Sequence, residues 1–324
     1  MTPPHSSLPL IGTDEAGFGP NLGPLVIAAT RWDGPADSSE ALRDLLADVA
    51  SETTAPDRLP LADSKLVHSA GTPLAGSPLA QAACGTMLAA GVDPTGRTIR
   101  SLAAALDPFG GNPLAEPPWF AGDADAAGDP VRITPAVEAF AAAVAERGIS
   151  VRVAADVIPA AAYNDLLDRY GSKGQLLSRR TLRLLRSLWR VGEPAAIVCD
   201  KHGGRDKYAE LLRDCLADAD AEPDPSLLFG PAVETVREGR LRSVYRVGQS
   251  GLTFEQKAES HLPVACASLV AKFVREWAMD AFNAYWSARR EGLAPTRGYP
   301  NDAQRWRSEL GDCDLDERML WRRK

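Results

Sequence analysis

Ile11-Gly12-Thr13-Asp14-Glu15-Ala16-Gly17-Phe18-Gly19-Pro20-Asn21-Leu22-Gly23-Pro24 puts two adjacent acids at the end of an apolar stretch and follows them with closely spaced glycines. Leu8 to Thr13 reads as a short buried strand and Leu25 to Thr30 as a second, so the glycines and prolines between them form a tight connection beside the acids. Backbone can approach a ligand closely at such glycines, and carboxylates so placed can hold a metal. A dinucleotide fingerprint does not fit: the spacing is G-x-G-x-x-x-G, and Pro20 and Pro24 oppose the helix that must follow. An ordinary acidic surface turn between hairpin strands stays open on these residues alone.

Four further pieces follow in order. They are Ala62-Asp63-Ser64-Lys65-Leu66, then Ile197-Val198-Cys199-Asp200, Lys257-Ala258-Glu259-Ser260, and Ala267-Ser268-Leu269-Val270-Ala271-Lys272. Together with the opening run, this set resembles the type 2 ribonuclease H family, ribonucleases HII and HIII. The motifs are short; their joint order carries the resemblance, over about residues 8 to 66 and 150 to 300. Tyr163-Asn164-Asp165-Leu166-Leu167 with Gly171-Ser172-Lys173, and Phe254 to Ser260, look more like ribonuclease HIII, whereas Gly298-Tyr299-Pro300 matches a tyrosine motif of ribonuclease HII.

The resemblance implies a ribonuclease H-like α/β fold, a mixed sheet flanked by helices, with a mainly helical and loop insertion and a C-terminal helical segment. It implies a catalytic domain over residues 1–300, carrying the insertion at about 67–148, with 301–324 as an extension packed on it. It leaves no room before Asp14 for the extra N-terminal domain of full-length ribonuclease HIII. The activity implied is endonucleolytic hydrolysis of the RNA strand of RNA–DNA hybrids, or of DNA containing ribonucleotides, giving 5′-phosphate ends.

Phosphodiester hydrolysis needs an activated water and a stabilised leaving oxygen, which two divalent cations about 3.5–4 Å apart supply. Hard cations such as Mg²⁺ or Mn²⁺ take oxygen ligands. Asp14, Glu15, Asp200 and Glu259 are the expected metal-binding and catalytic acids, with Asp14 as the bridge. Asp200 has two neighbours of competing chemistry, His202 and Asp206, and its bland alternative is a turn residue before Gly203-Gly204. For Glu259, where many relatives have Asp, the bland alternative is a helix N-terminal acid. In the family, backbone groups of the Gly-x-Gly turn read the 2′-hydroxyl by which proteins tell RNA from DNA. Gly17 and Gly19 are kept here, but the middle residue is Phe18 rather than Arg or Lys, so one phosphate-facing cation is missing. Lys65, Lys257 and Tyr299 complete the expected substrate-binding set.

Composition bounds the rest. The 324 residues, 45% hydrophobic, suffice for one large domain or one domain with a sizeable insertion. No stretch approaches a membrane span, Met1 to Leu10 lacks the order of a signal peptide, and the five cysteines show no C-x-x-C spacing, so a cytoplasmic monomer that binds no membrane is expected. The net charge of −7 argues mildly against a nucleic-acid partner, but Ser172 to Arg190 contains six cationic residues and no acid, and Arg237, Arg240, Arg242 and Arg246 add a second basic stretch. A solvated helix face is the default reading for about half of these arginines. A related nuclease acting on another nucleic-acid structure and a catalytically silent hybrid-binding protein are the competing functions.

The expected element order is the strand hairpin, a helix near Ser38 to Ser51, insertion helices near Pro78 to Ala90 and Pro135 to Arg147, and a strand at Ser150 to Asp156. Helices at Ala160 to Tyr170 and Gln175 to Val191 follow, then a strand at Ala195 to Asp200 and a helix near Asp206 to Ala217. Strands around Leu241 to Val247 and Leu252 to Lys257 and a long helix from about His261 to Phe282 complete it. Within the insertion Trp119 and Phe120 are expected to anchor it or cover the cleft, and the chain after Ala294 to close over the substrate side.

Overall fold

The computed structural model describes residues 8–55, 57–69, 71–121, 128–216, 232–311 and 316–323. Its centre is a seven-stranded sheet built from β1 (Leu10–Ala16), β2 (Leu25–Asp33), β5 (Ser150–Ile158), β6 (Ala196–Asp200), β7 (Val233–Arg237), β8 (Arg242–Val247) and β9 (Ser250–Glu255), in the order β5-β2-β1-β6-β9-β8-β7. β1 runs parallel to β6, and β6 to β9; every other neighbouring pair is antiparallel. The expected α/β class, a mixed sheet flanked by helices, is met. In open sheets of this kind ligands bind beyond the carboxyl ends of the parallel strands, and Asp14 and Asp200 lie at those ends.

Strand alternation divides the core into two layers. On β2, Val26 and Ala28 join the larger cluster, while Leu25, Ile27 and Ala29 join the opposite one. The first layer centres on α9 (Leu262–Ser287), the longest helix, with Pro263 in its first turn. The second is covered by α6 (Ala160–Tyr170) and α7 (Lys173–Leu188); left-handed Gly171 ends α6 and Ser172 caps α7. α8 (Ala209–Leu216) covers the sheet beside α7.

Residues 67–148 contribute to the main core. α3 (Pro78–Ala89), α4 (Ile99–Leu106) and α5 (Pro135–Glu146) bury Leu79, Met87, Leu102 and Phe140 in the same cluster as α9. Trp119 packs edge-on against Phe282, ring centres 5.2 Å apart, so it anchors this segment. Residues 122–127, between Phe120 and α5, lie outside the described residues.

Several elements differ from expectation. The helix placed at Ser38 to Ser51 ends early: α1 is Ser39–Leu45, after which β3 (Ala50–Ser51) pairs in parallel with β4 (Leu59–Pro60). α4, with its Thr98–Ser101 capping box, went unforeseen inside the insertion. So did the edge strand β7, whose mostly exposed residues lack the alternation that marks a half-buried strand. α7 begins at Lys173 and stops at Leu188, short of Val191. The end of the expected helix at Ala217 lies outside the described residues, as do Met1 to Ser7 and Cys313. At the C-terminal end, α10 (Pro300–Leu310) buries Trp306 and Leu310 beside α9, and α11 (Glu317–Leu320) follows.

Among the described residues no helix is long and apolar enough to cross a membrane.

Candidate metal centre

Gly12 lets the amino end of α9 lie directly on β1: a Cβ there would sit 2.2 Å from Val264 N and 2.3 Å from Pro263 C. Thr30 Oγ1 on β2 donates to Pro263 O at 2.7 Å, tying the same helix end to the next strand. Just before α9, Lys257 takes a left-handed backbone, φ 60°, the one non-glycine with positive φ among the described residues. That costs about 1–2 kcal/mol. It turns the chain so that Ala258 N–H donates to Asp200 Oδ1 at 3.3 Å and Glu259 is brought, buried, to the end of the parallel strands.

The middle of the chain docks on α9 as well. Asp63 Oδ1 accepts from Lys65 N at 2.8 Å and caps the short α2 (Ser64–Val67). Ser268 Oγ meets Ser64 Oγ at 3.1 Å, and Lys272 Nζ donates to the carbonyls of Ser64 at 2.8 Å and His68 at 3.1 Å. The Asp-Ser-Lys and Ala-Ser-x-x-Ala-Lys motifs are thus two halves of one contact, which delivers Lys65 to the acids. Its ammonium lies 3.8 Å from Glu259 Oε1.

Asp14, Glu15 and Asp200 each offer a carboxylate oxygen within 4.8 Å of the others. Glu259 stands beside this trio rather than within it, paired with Lys65. Burial and the neighbouring Asp200 and Glu259 carboxylates push the Asp14 carboxyl up to about 8, against hydrogen bonds from Ser268 and Glu15 N–H. Burial and the charge of Asp14 and Asp200 push Glu15 upward too. Asp200 rises to about 6, chiefly through burial. One exposed ammonium does not neutralise so many carboxylates. The donor set is all hard oxygen, the kind that Mg²⁺ and Mn²⁺ take. A divalent cation fits both the donors and the uncompensated charge.

The competitors of Asp200 are employed elsewhere. His202 turns into the core, Nδ1 2.9 Å from Ser178 Oγ with its ring edge-on to Phe254, and burial holds it down to about 3. Asp206 pairs with Lys201 at 3.0 Å.

Beyond the acids, Gly17 has φ +89° and a Cβ there would meet Arg275 Nε at 2.6 Å, so only glycine fits. Gly19 is exposed with open space around it. Phe18 packs half-buried against the α6–α7 layer, near Gly203. Tyr299 is 56% exposed on the same side, with the Arg275 guanidinium 6.0 Å from its ring centre. Gly298 O accepts from Asn21 N at 2.7 Å, which fixes the tyrosine segment against the glycine turn. Lys257 is exposed.

The basic run on α7 is mostly occupied within the protein. Arg180 makes a two-bonded pair with buried Asp156 at 2.6 and 2.7 Å, Arg179 pairs with Asp214 at 3.3 Å, and Arg183 stacks 3.8 Å from Phe109 of the insertion. These arginines belong to the layer opposite α9, whereas Asp14 bonds Ser268 of α9. The structural reading wins for them.

Sequence reasoning missed Asn164, Arg275 and Arg322. In the sequence Asn164 stands out only through its place in a resemblance. It holds the chain end: Nδ2 donates to Trp321 O at 2.8 Å and Oδ1 accepts from Arg323 N at 2.9 Å.

Fold and site together define an α/β protein with a carboxylate cluster suited to a divalent metal at the ends of two parallel strands. No model of a known family matches the sequence, and no curated protein matches it. Among solved structures, the chain is similar to the ribonuclease H2 from Pyrococcus horikoshii OT3 at 16% identity, covering 97% of this chain and 92% of that one with a TM-score of 0.45. It is similar also to Aquifex aeolicus RNase H3 at 13% identity, 96% and 70% coverage and a TM-score of 0.39. A point mutant of Bst-RNase HIII shares 20% identity with a TM-score of 0.41; 98% of this chain is covered, and the chain spans only 66% of that protein.

Proposed function

We propose that this chain is a metal-dependent endoribonuclease that hydrolyses the RNA strand of RNA–DNA hybrids. The observation that carries the reading is the convergence of Asp14, Glu15 and Asp200 within 4.8 Å, beside a glycine turn that is open at Gly19. Two divalent cations, Mg²⁺ or Mn²⁺, would be held by these three acids with Glu259, and would supply an activated water and charge stabilisation for the leaving oxygen.

The protein's own residues prepare that chemistry. Asp14 and Glu15 present carboxylates from one rigid strand, and Asp200 does so from its parallel neighbour. Lys65 holds Glu259 and adds positive charge where substrate phosphates approach. Gly17 and Gly19 leave backbone accessible to the 2′-hydroxyl, and Tyr299 offers a ring face to the nucleotide at the cut. Phe18 serves as a packing residue that sets the turn on the α6–α7 layer. Residues 1–300 act as one catalytic unit, monomeric and cytoplasmic, with the C-terminal segment packed on it.

The test is cleavage of three labelled duplexes with Mg²⁺ or Mn²⁺: a continuous RNA–DNA hybrid, DNA with a single ribonucleotide, and all-DNA. Cutting at ribonucleotides that disappears in Asp14→Asn supports the reading. Comparable cutting of all-DNA, or tight hybrid binding without turnover under either metal, overturns it.

A further inference from the structure

Two arginines lie buried beneath the glycine turn. Arg322, near the chain end, donates from Nη2 to Gly17 O at 2.7 Å and to Pro20 O. Its backbone N donates to Asn21 O at 2.8 Å, and Asn21 Nδ2 donates back to Arg322 O at 3.0 Å. Its guanidinium sits 4.9 Å from the ring centre of Tyr163, while Nε and Nη1 find no hydrogen-bond partner. Arg275 is also buried, donates from Nη2 to Arg297 O at 2.8 Å, pairs with Glu276 at 3.1 Å and leaves Nε unpartnered under Gly17.

We propose that Arg322 is the positioning residue of the Gly17–Asn21 turn, and that Arg322, which has no acid partner among the described residues while Arg275 is paired with Glu276, supplies from beneath the positive charge that the turn lacks at Phe18. In a trans peptide C=O and N–H point in opposite directions. Holding the Gly17 carbonyl inward therefore turns the Phe18 N–H outward, toward an acceptor such as a phosphate or sugar oxygen. A cation on the carbonyl side polarises that peptide and strengthens the outward donor. Burying a guanidinium without an acid partner is costly. A neutral amide donor would satisfy the same two carbonyls without that cost, but would not add charge behind the surface that meets a polyanion. Asn164 is the device that keeps the strap in place, since its amide grips Trp321 and Arg323 on either side of Arg322.

The substrate arm of the test rests on the proposed function; the conformational arm does not. In metal-free protein without substrate, Arg322→Met, which removes both the donor to the two carbonyls and the charge, is expected to speed hydrogen exchange at the turn amides of Gly17 to Asn21 by about tenfold or more, with β1 and α9 unchanged. In cleavage assays the same variant is expected to raise KM for the hybrid about tenfold, to make its salt dependence no steeper, and to leave kcat within about twofold and metal affinity unchanged. If Arg322→Met fails to fold, Asn164→Ser, which loosens the strap without touching the turn, carries the same expectations. Unchanged exchange at the turn overturns the positioning role, and faster exchange with unchanged KM overturns the charge role. A wild-type protein that neither binds nor cuts the hybrid sinks the proposed function, while the exchange result still decides whether Arg322 positions the turn.

Discussion

Gly12 and Val264 touch through their backbones: a single methyl on Gly12 would lie 2.2 Å from Val264 N. The obstacle is helix backbone rather than a flexible side chain, so β1 and α9 must separate to admit it. Gly12→Ala should cost about 3 kcal/mol or more in urea unfolding, at the upper end of overpacking penalties, and should lower metal affinity by moving Glu259 and Ser268 away from Asp14. A variant of wild-type stability would show that the helix end yields freely.

The acids predict a pH dependence of stability in the metal-free protein. The Asp14 carboxyl rises from an ordinary 3.8 to about 8 and Asp200 from 3.8 to about 6 on folding. The folded chain therefore holds protons that the unfolded chain has released, and stability falls as pH rises from about 4 toward about 8. Asp14→Asn removes much of this slope and should unfold a few degrees above wild type at pH 8 without metal. A wild-type unfolding temperature that is flat from pH 5 to 8 counts against buried, uncompensated carboxylates.

Metal affinity should move the opposite way. A cation must displace the proton that Asp14 keeps up to about pH 8, so binding should tighten by up to about tenfold per pH unit between pH 6 and 8 for one proton released. Calorimetry in buffers of different ionisation enthalpy measures that release directly. Affinity independent of pH would place the ion elsewhere.

Phe18 tests packing against contact with substrate. Its half-buried ring rests on the α6–α7 layer, so Phe18→Ala should cost roughly 1–3 kcal/mol of stability while kcat stays near wild type. A large loss of kcat with no loss of stability would assign the ring to the substrate.

Lys272 joins two distant motifs through the carbonyls of Ser64 and His68. Lys272→Met strands the His68 carbonyl and leaves Ser64 O only its bond from His68 N, and about 1–3 kcal/mol of stability should be lost. Because α2 then loosens, the pairing of Lys65 with Glu259 should weaken, and KM should rise more than kcat falls.

Local signals carried a good part of this protein. Apolar runs that end in Asp14 and Asp200 mark strands with acids at their tips, and Ser77-Pro78 and Thr134-Pro135 mark two helix starts within a residue or so of those observed. Where the local pattern was ambiguous, so was the reading: exposed β7 shows no alternation, and α1 shares its stretch with a strand that exists only because β4 pairs with it.

By itself, then, the sequence determined six of the seven strands of the central sheet, most of the helices, the mixed α/β character and the acids placed to meet, because hydrophobic period, capping and turn chemistry act over a few residues. Only the tertiary structure decided how those acids sit relative to one another, that the α7 arginines are spent on partners around their own layer, and that Arg322 lies under Gly17. Such contacts join residues up to about three hundred positions apart, and the burial that fixes their charge and hydrogen bonding exists only once both layers have closed on the sheet.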